Sequence, residues 1–125
     1  MPDVPTHEHL PDTVMLVEDL TAIRTLQRFL LLRNGIQVLE YADLPAAEAA
    51  LRHVTPGVIV LDLNLPSGNG LNLLNHVNRT ATNVLVMSSM AQQLTAERSQ
   101  SSADAFLPKP FDPAVFVETV QRLLP

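Results

Sequence analysis

The 125-residue sequence predicts an open α/β fold, a single doubly wound five-stranded parallel sheet with helices on both faces. Three observations carry that prediction. First, four short runs are continuously apolar: Val14-Met15-Leu16-Val17, Val58-Ile59-Val60-Leu61, Val84-Leu85-Val86-Met87 and Ala105-Phe106-Leu107-Pro108. Such runs suit strands buried on both faces of a parallel sheet. Second, helix-compatible stretches alternate with them, as right-handed crossover connections require. Third, each run ends on a residue able to handle a charged oxygen group: Glu18-Asp19, Asp62, Ser88 and Lys109 respectively. The carboxyl ends of parallel strands form the binding edge of an open α/β sheet, so these residues are expected to meet.

Residues 1–12, MPDVPTHEHLPD, hold three prolines and few apolar side chains and are expected to form a flexible tail. His7 and His9 on that tail are read as solvent-exposed side chains rather than metal ligands. The first strand starts at Thr13. Leu20 to Asn34 follows as a helix, with apolar Ile23, Leu26 and Leu30, interspersed Arg24, Arg28 and Arg33, and Gly35 as the C-terminal stop. Ile36 to Tyr41 reads as the second strand. Pro45 to His53 reads as a helix with proline in its first turn. Thr55-Pro56-Gly57 is expected to turn the chain into the strand ending at Asp62. Leu71 to Val77 gives a short third helix before the strand ending at Ser88. Residues 91–102, AQQLTAERSQSS, are helix-compatible with Leu94 as the one large apolar anchor, so a weakly held helix is expected. Phe106-Leu107 forms the fifth strand. Asp112-Pro113 caps and starts a last helix through Val117, Val120 and Leu124.

Composition narrows the function classes. The formal charge is −5, and the eight basic residues are scattered singly, which leaves no basic stripe to follow a nucleic-acid backbone. Cysteine is absent, which excludes disulfides and thiolate metal sites. No apolar run approaches the roughly 20 residues of a membrane span, and the N-terminus lacks the order of a signal peptide. A soluble cytoplasmic protein of one domain is the expectation, with no nucleic-acid or membrane partner.

Carboxylates brought together at one edge disfavour one another's ionisation unless a cation offsets them. A divalent ion with oxygen ligands, Mg²⁺ above all, suits Glu18, Asp19 and Asp62 together with a backbone carbonyl and a phosphoryl oxygen. Asp62 is then placed to act as a nucleophile toward phosphorus, as aspartate does in covalent phosphoryl-transfer intermediates. Lys109, the only lysine, would balance the growing phosphoryl charge, and Ser88 would hydrogen-bond a second oxygen. Each residue also has a plain reading. The acid pair could cap a helix, Asp62 and Ser88 could be turn residues, and Lys109 could lie on the surface. Their joint occurrence, each at a strand end, favours the chemical reading.

With these residues in place, the sequence from about 13 to 124 resembles the receiver domain of two-component response regulators. Glu18-Asp19 matches that family's metal-binding acids. Asp62, with Pro66 and Gly70 after it, matches the phosphoacceptor motif. Ser88 stands at the switch hydroxyl, followed by Ser89 in place of the usual alanine. Ala105-Phe106-Leu107-Pro108-Lys109-Pro110-Phe111 matches the lysine–proline motif, with Phe106 at the rotating aromatic position. Two departures are visible: the stretch from Asp62 to Ser88 is short by a couple of residues, and Ser102 replaces the glycine usual before the fifth strand.

The resemblance implies a flavodoxin-like receiver fold over residues 13–125 and a cis Lys109–Pro110 bond. It implies Mg²⁺ or Mn²⁺ held by Glu18, Asp19, Asp62 and the Asn64 backbone carbonyl. A sensor histidine kinase or histidine phosphotransfer protein would be the phosphoryl donor. The domain would be a signalling switch rather than an enzyme, although it assists its own phosphorylation and autodephosphorylation. Two other functions remain open at this point: an aspartate-nucleophile phosphatase of the haloacid dehalogenase type, and a phosphorylation-independent interaction module. The phosphatase needs a second acid two residues after the nucleophile, where this chain has Asn64. Apolar residues in succession on the first helix (Phe29 to Leu32) and on the last (Val115 to Val117, Leu123-Leu124) exceed one buried stripe. They either cover one another or form a homodimer contact.

Overall fold

The computed structural model describes residues 7–90 and 103–125. Five parallel strands lie in the order β2-β1-β3-β4-β5: β1 (Glu8–Val17), β2 (Gln37–Tyr41), β3 (Val54–Asp62), β4 (Asn83–Ser88) and β5 (Ala105–Pro108). The central strands β1, β3 and β4 carry the continuous apolar runs. Because side chains alternate across a strand, each run feeds two layers. Val14, Leu16, Val58, Val60, Leu85 and Met87 face one side, where they pack with Leu31 of α1 (Thr21–Arg33) and with Phe116, Val120 and Leu123 of α3 (Pro113–Leu123). Met15, Val17, Ile59 and Leu61 face the other side, against Leu44, Ala47 and Leu51 of α2 (Leu44–Leu51) and Leu73 of a 3-10 helix (Gly70–His76). This is the doubly wound sheet that the sequence predicts.

Several local signals act as expected. Gly35, at φ 75, ends α1 in the left-handed region, and the N–H of Ile36 returns to the Leu31 carbonyl at 3.0 Å. Pro45 sits in the first turn of α2 as read, and Asp43, which the sequence reading does not single out, caps that helix by accepting from Ala46 N at 2.9 Å. Asp112 caps α3 by accepting from Val115 N at 3.0 Å, with Pro113 following. The third helix is a seven-residue 3-10 element rather than a full α-helix, entered through Asn69, whose side chain accepts from Leu71 N at 3.0 Å.

The structure corrects the reading of residues 8–12 and 55–57. The expected flexible tail is, from Glu8 onward, the first half of β1, which pairs Glu8, His9 and Leu10 with Val54, Thr55 and Pro56. Thr55, Pro56 and Gly57 accordingly lie inside β3 and not in a turn. The ladder shifts register between Leu10 and Val14, which accommodates Pro11 and its missing N–H. Gly57 makes the close approach feasible, since a Cβ there would run into the Pro11 carbonyl oxygen. The expected weak helix at 91–102, with Ser102, lies outside the described residues. On α1, Leu31 is buried and Leu30 half-buried, while Leu26, Phe29 and Leu32 stay exposed.

Candidate functional site

The site forms where β1, β3, β4 and β5 end side by side. Parallel register sets this: Val17 lies beside Leu61, Asp62 beside Met87, and Ser88 beside Pro108. The next residue of each strand is thereby delivered to the same edge. Leu63 N donates to Met87 O and Lys109 N to Ser88 O, both across about one strand spacing, at 3.0 and 2.9 Å. These bonds carry the sheet pairing one residue beyond the strands and fix the loop exits.

Glu18 is 1 % exposed and Asp62 3 %, an unusual degree of burial for carboxylates. Lys109 compensates both. Its Nζ lies 3.0 Å from Glu18 Oε1 and 3.1 Å from Asp62 Oδ2. The cis Lys109–Pro110 bond is present as expected. Asp19 is half-buried beside them, and one carboxylate oxygen from each of Glu18, Asp19 and Asp62 lies within 4.8 Å of the others. The cap residue of α1 is Leu20, which makes no side-chain capping bond, rather than Asp19. Three carboxylates therefore face one lysine, and the excess of negative charge has to be offset.

Burial and that excess together show in two groups. Burial first, and then the neighbouring Asp62 carboxylate, push the Glu18 carboxyl up from 4.5 to about 7 against the opposing pull of Lys109. Burial alone would lower the Lys109 ammonium, but Glu18 and Asp62 outweigh it and hold the group above its ordinary 10.5. Moreover Glu18 Oε2 is buried and has no hydrogen-bond partner among the described residues. A buried carboxylate oxygen of this kind wants a donor or a cation. The chemistry of the donor set, all oxygen and all hard, fits a divalent ion such as Mg²⁺.

The remaining predicted residues take up distinct positions. Asn64 N donates to Asp62 Oδ1 at 2.9 Å, and the Asn64 side chain reaches across to the end of β4, where its Oδ1 accepts from Ser88 Oγ at 3.1 Å and from Ser89 N at 3.2 Å. Ser88 is fully buried. Phe106 is half-buried on the β5 side, packed with Val84, Val86 and Leu63. A cleft of about 480 Å³ opens over the edge, lined by Asp19, Leu20, Ile23, Asp62, Asn64, Ser89, Lys109 and Pro110. Gly70 packs closely against the end of β3: a Cβ there would come within 2.8 Å of the Asp62 carbonyl oxygen.

Two contributions escape sequence reasoning. The bond of the Asn64 side chain to Ser88 and Ser89 is one, because the sequence places Asn64 at the site without indicating that reach. Arg24 is the other: its guanidinium donates to the Glu18 carbonyl at 2.8 Å and pairs with Glu40 at 3.3 Å, tying the loop after β1 to β2. An isolated arginine on an amphipathic helix carries no signal of that role.

Residues 14–121 match the family model described as the response regulator receiver domain. Over 116 residues the chain is 28 % identical to the phosphate regulon transcriptional regulatory protein PhoB of Escherichia coli strain K12, with 89 % of this chain and 51 % of PhoB covered. It is 25 % identical over 114 residues to the chemotaxis protein CheY of Thermotoga maritima, with 88 % of this chain and 95 % of CheY covered. Among solved structures, chemotaxis response regulator CheY4 of Vibrio cholerae superposes with a TM-score of 0.79 at 26 % identity, covering 90 % of this chain and 98 % of that one. The chain spans about half the length of PhoB. Among the described residues, no helix is long and apolar enough to cross a membrane.

Proposed function

The chain belongs to the response regulator receiver domain family, and from that premise we propose that it is a phosphoacceptor switch of a two-component system with Asp62 as the acceptor. A carboxylate oxygen of Asp62 attacks the phosphorus of a phosphohistidine carried by a sensor histidine kinase or a phosphotransfer protein. The P–N bond breaks, the imidazole leaves with its electron pair and is reprotonated, and an acyl phosphate forms on Asp62. Glu18, Asp19, Asp62 and the Asn64 carbonyl would hold Mg²⁺ or Mn²⁺, which when bound supplies positive charge against the phosphoryl oxygens.

The protein's own groups do the positioning. The carrying observation is the buried Lys109 ammonium held between Glu18 and Asp62, 3.1 Å from Asp62 Oδ2. A fixed cation in a water-poor site stabilises charge as it builds on the transferring group, at little reorganisation cost. Ser88 would then turn its hydroxyl to a phosphoryl oxygen, and Phe106 would turn inward from its half-buried place on β5. The acyl phosphate thereby biases a two-state equilibrium and alters the surface offered to a partner. The exposed apolar residues Leu26, Phe29 and Leu32 of α1 give a surface for such a partner, whether the kinase or a second copy of the chain. Signalling from a kinase phosphohistidine carries a cytoplasmic location with it.

Incubation with phosphoramidate and Mg²⁺, followed by intact-mass spectrometry, tests this reading. A switch acquires one phosphoryl group transiently, and Asp62→Asn acquires none. Sustained turnover of donor would indicate a phosphatase, and no incorporation an interaction module.

A further inference from the structure

Among the described residues, the hydroxyl of Ser88 meets a donor and two acceptors. The backbone N–H of Met90 donates to Ser88 Oγ at 3.0 Å. A backbone N–H only donates, so the hydroxyl accepts there and its own proton goes to another acceptor. Among the described residues the nearest acceptor is Asn64 Oδ1, 3.1 Å away, ahead of the Met90 carbonyl at 3.4 Å. The same Oδ1 faces the Ser89 backbone N–H at 3.2 Å, which identifies the carboxamide atom at this position as oxygen rather than nitrogen. Asn64 also donates from its backbone to Asp62 Oδ1. One residue therefore contacts the acceptor carboxylate through its main chain and the switch hydroxyl through its side chain.

We propose that Asn64 is a positioning residue that opposes activation: its carboxamide oxygen holds the Ser88 hydroxyl in the resting orientation and competes with the phosphoryl oxygens for the Ser88 proton. The inference rests on the reading of Asp62 as phosphoacceptor. Activation then exchanges the bond between Ser88 and Asn64 for one between Ser88 and a phosphoryl oxygen. The second bond is charge-assisted and wins, but the first sets the resting population. Loss of the carboxamide removes a stabilising contact of the resting state alone. The competent fraction rises, and with it the apparent affinity for a phosphoryl mimic. One net hydrogen bond corresponds to about a three- to tenfold change.

The test is a beryllofluoride titration in the presence of Mg²⁺, followed by the amide resonances of Ser88, Ser89 and Met90. Wild type, Asn64→Ala, Ser88→Ala and the double variant form a cycle. Asn64→Ala is expected to bind beryllofluoride about three- to tenfold more tightly than wild type. The same substitution in the Ser88→Ala background is expected to change nothing, a dependence that a merely structural role would not produce. Asn64→Met, which fills the place of the carboxamide with apolar atoms and offers no acceptor oxygen there, should behave as Asn64→Ala and covers the case in which alanine loosens the loop. Unchanged or weaker binding in both Asn64 variants overturns the inference. So does an equal effect with and without the Ser88 hydroxyl. A wild-type protein with no Mg²⁺-dependent response overturns the phosphoacceptor reading itself and the inference with it.

Discussion

Glu18 makes the metal-free protein lose stability as pH rises through neutrality. Its carboxyl is raised from 4.5 in the unfolded chain to about 7 in the folded one, chiefly by burial. Between those values the folded state binds a proton that the unfolded state has released, so stability falls with increasing pH. Below 4.5 both states are protonated and the contribution is flat; above about 7 both are ionised and the full penalty is present. Each tenfold change in proton affinity is worth about 1.4 kcal/mol, which makes the loss from Glu18 about 2 to 3 kcal/mol between roughly pH 5 and pH 8.5. The perturbation is Glu18→Gln, which has no proton to lose. Urea unfolding at both pH values, in buffer with a chelator, gives the comparison, and titrating groups remote from Glu18 cancel between the two proteins. Wild type should lose about 2 to 3 kcal/mol more than Glu18→Gln on going to the higher pH. Saturating Mg²⁺ should shrink the difference, because a cation offsets the ionised carboxylate. Identical pH dependence in the two proteins would refute the reasoning.

Lys109→Met leaves the buried Glu18 and Asp62 carboxyls facing each other without their cation, so it should cost about 3 kcal/mol at pH 8 and less at pH 5, where Glu18 is neutral; urea unfolding at the two pH values checks it. The same variant should take up phosphoryl groups from phosphoramidate more slowly than wild type by intact-mass kinetics. Gly57→Ala places a methyl group against the Pro11 carbonyl and should destabilise by about 1 to 3 kcal/mol. Hydrogen exchange should show faster exchange at the Glu8 amide, which bonds His53 O at 2.8 Å in the wild type. Met90 is exposed beside the switch serine and has no group to orient an attacking water, so Met90→Glu should release phosphate faster than wild type in a phosphate-release assay.

The centre of the fold and the chemistry at its edge were legible because burial on both sides of a parallel strand leaves a one-dimensional signature. Val58 to Leu61 cannot be placed at a surface without exposing apolar area on two sides. The residue that ends such a run must sit at the sheet's edge, which is why Glu18, Asp62, Ser88 and Lys109 converge in space although up to 91 positions separate them in sequence. Caps and stops were legible for the same local reason, as at Gly35 and Asp112. Residues 8–12 were not. Their strand is specified by pairing with Val54 to Pro56 rather than by their own side chains, and prolines at both partners hide it. The one available signal was Gly57, a glycine entering an apolar strand, which marks close approach of another backbone as readily as a turn. The lateral reach of the Asn64 side chain was also hidden. Residue spacing does not encode which way a loop carboxamide points once Ser89 offers it an N–H donor.

The central claim is that Asp62 itself carries the phosphoryl group. An acyl phosphate is reduced by borohydride to an alcohol, whereas free carboxylates are not. Phosphoramidate and Mg²⁺ treatment followed by borohydride and peptide mass spectrometry should therefore convert residue 62, and no other, to homoserine. Conversion confined to Asp19 or Glu18, or phosphate found instead on Ser88, would contradict the account.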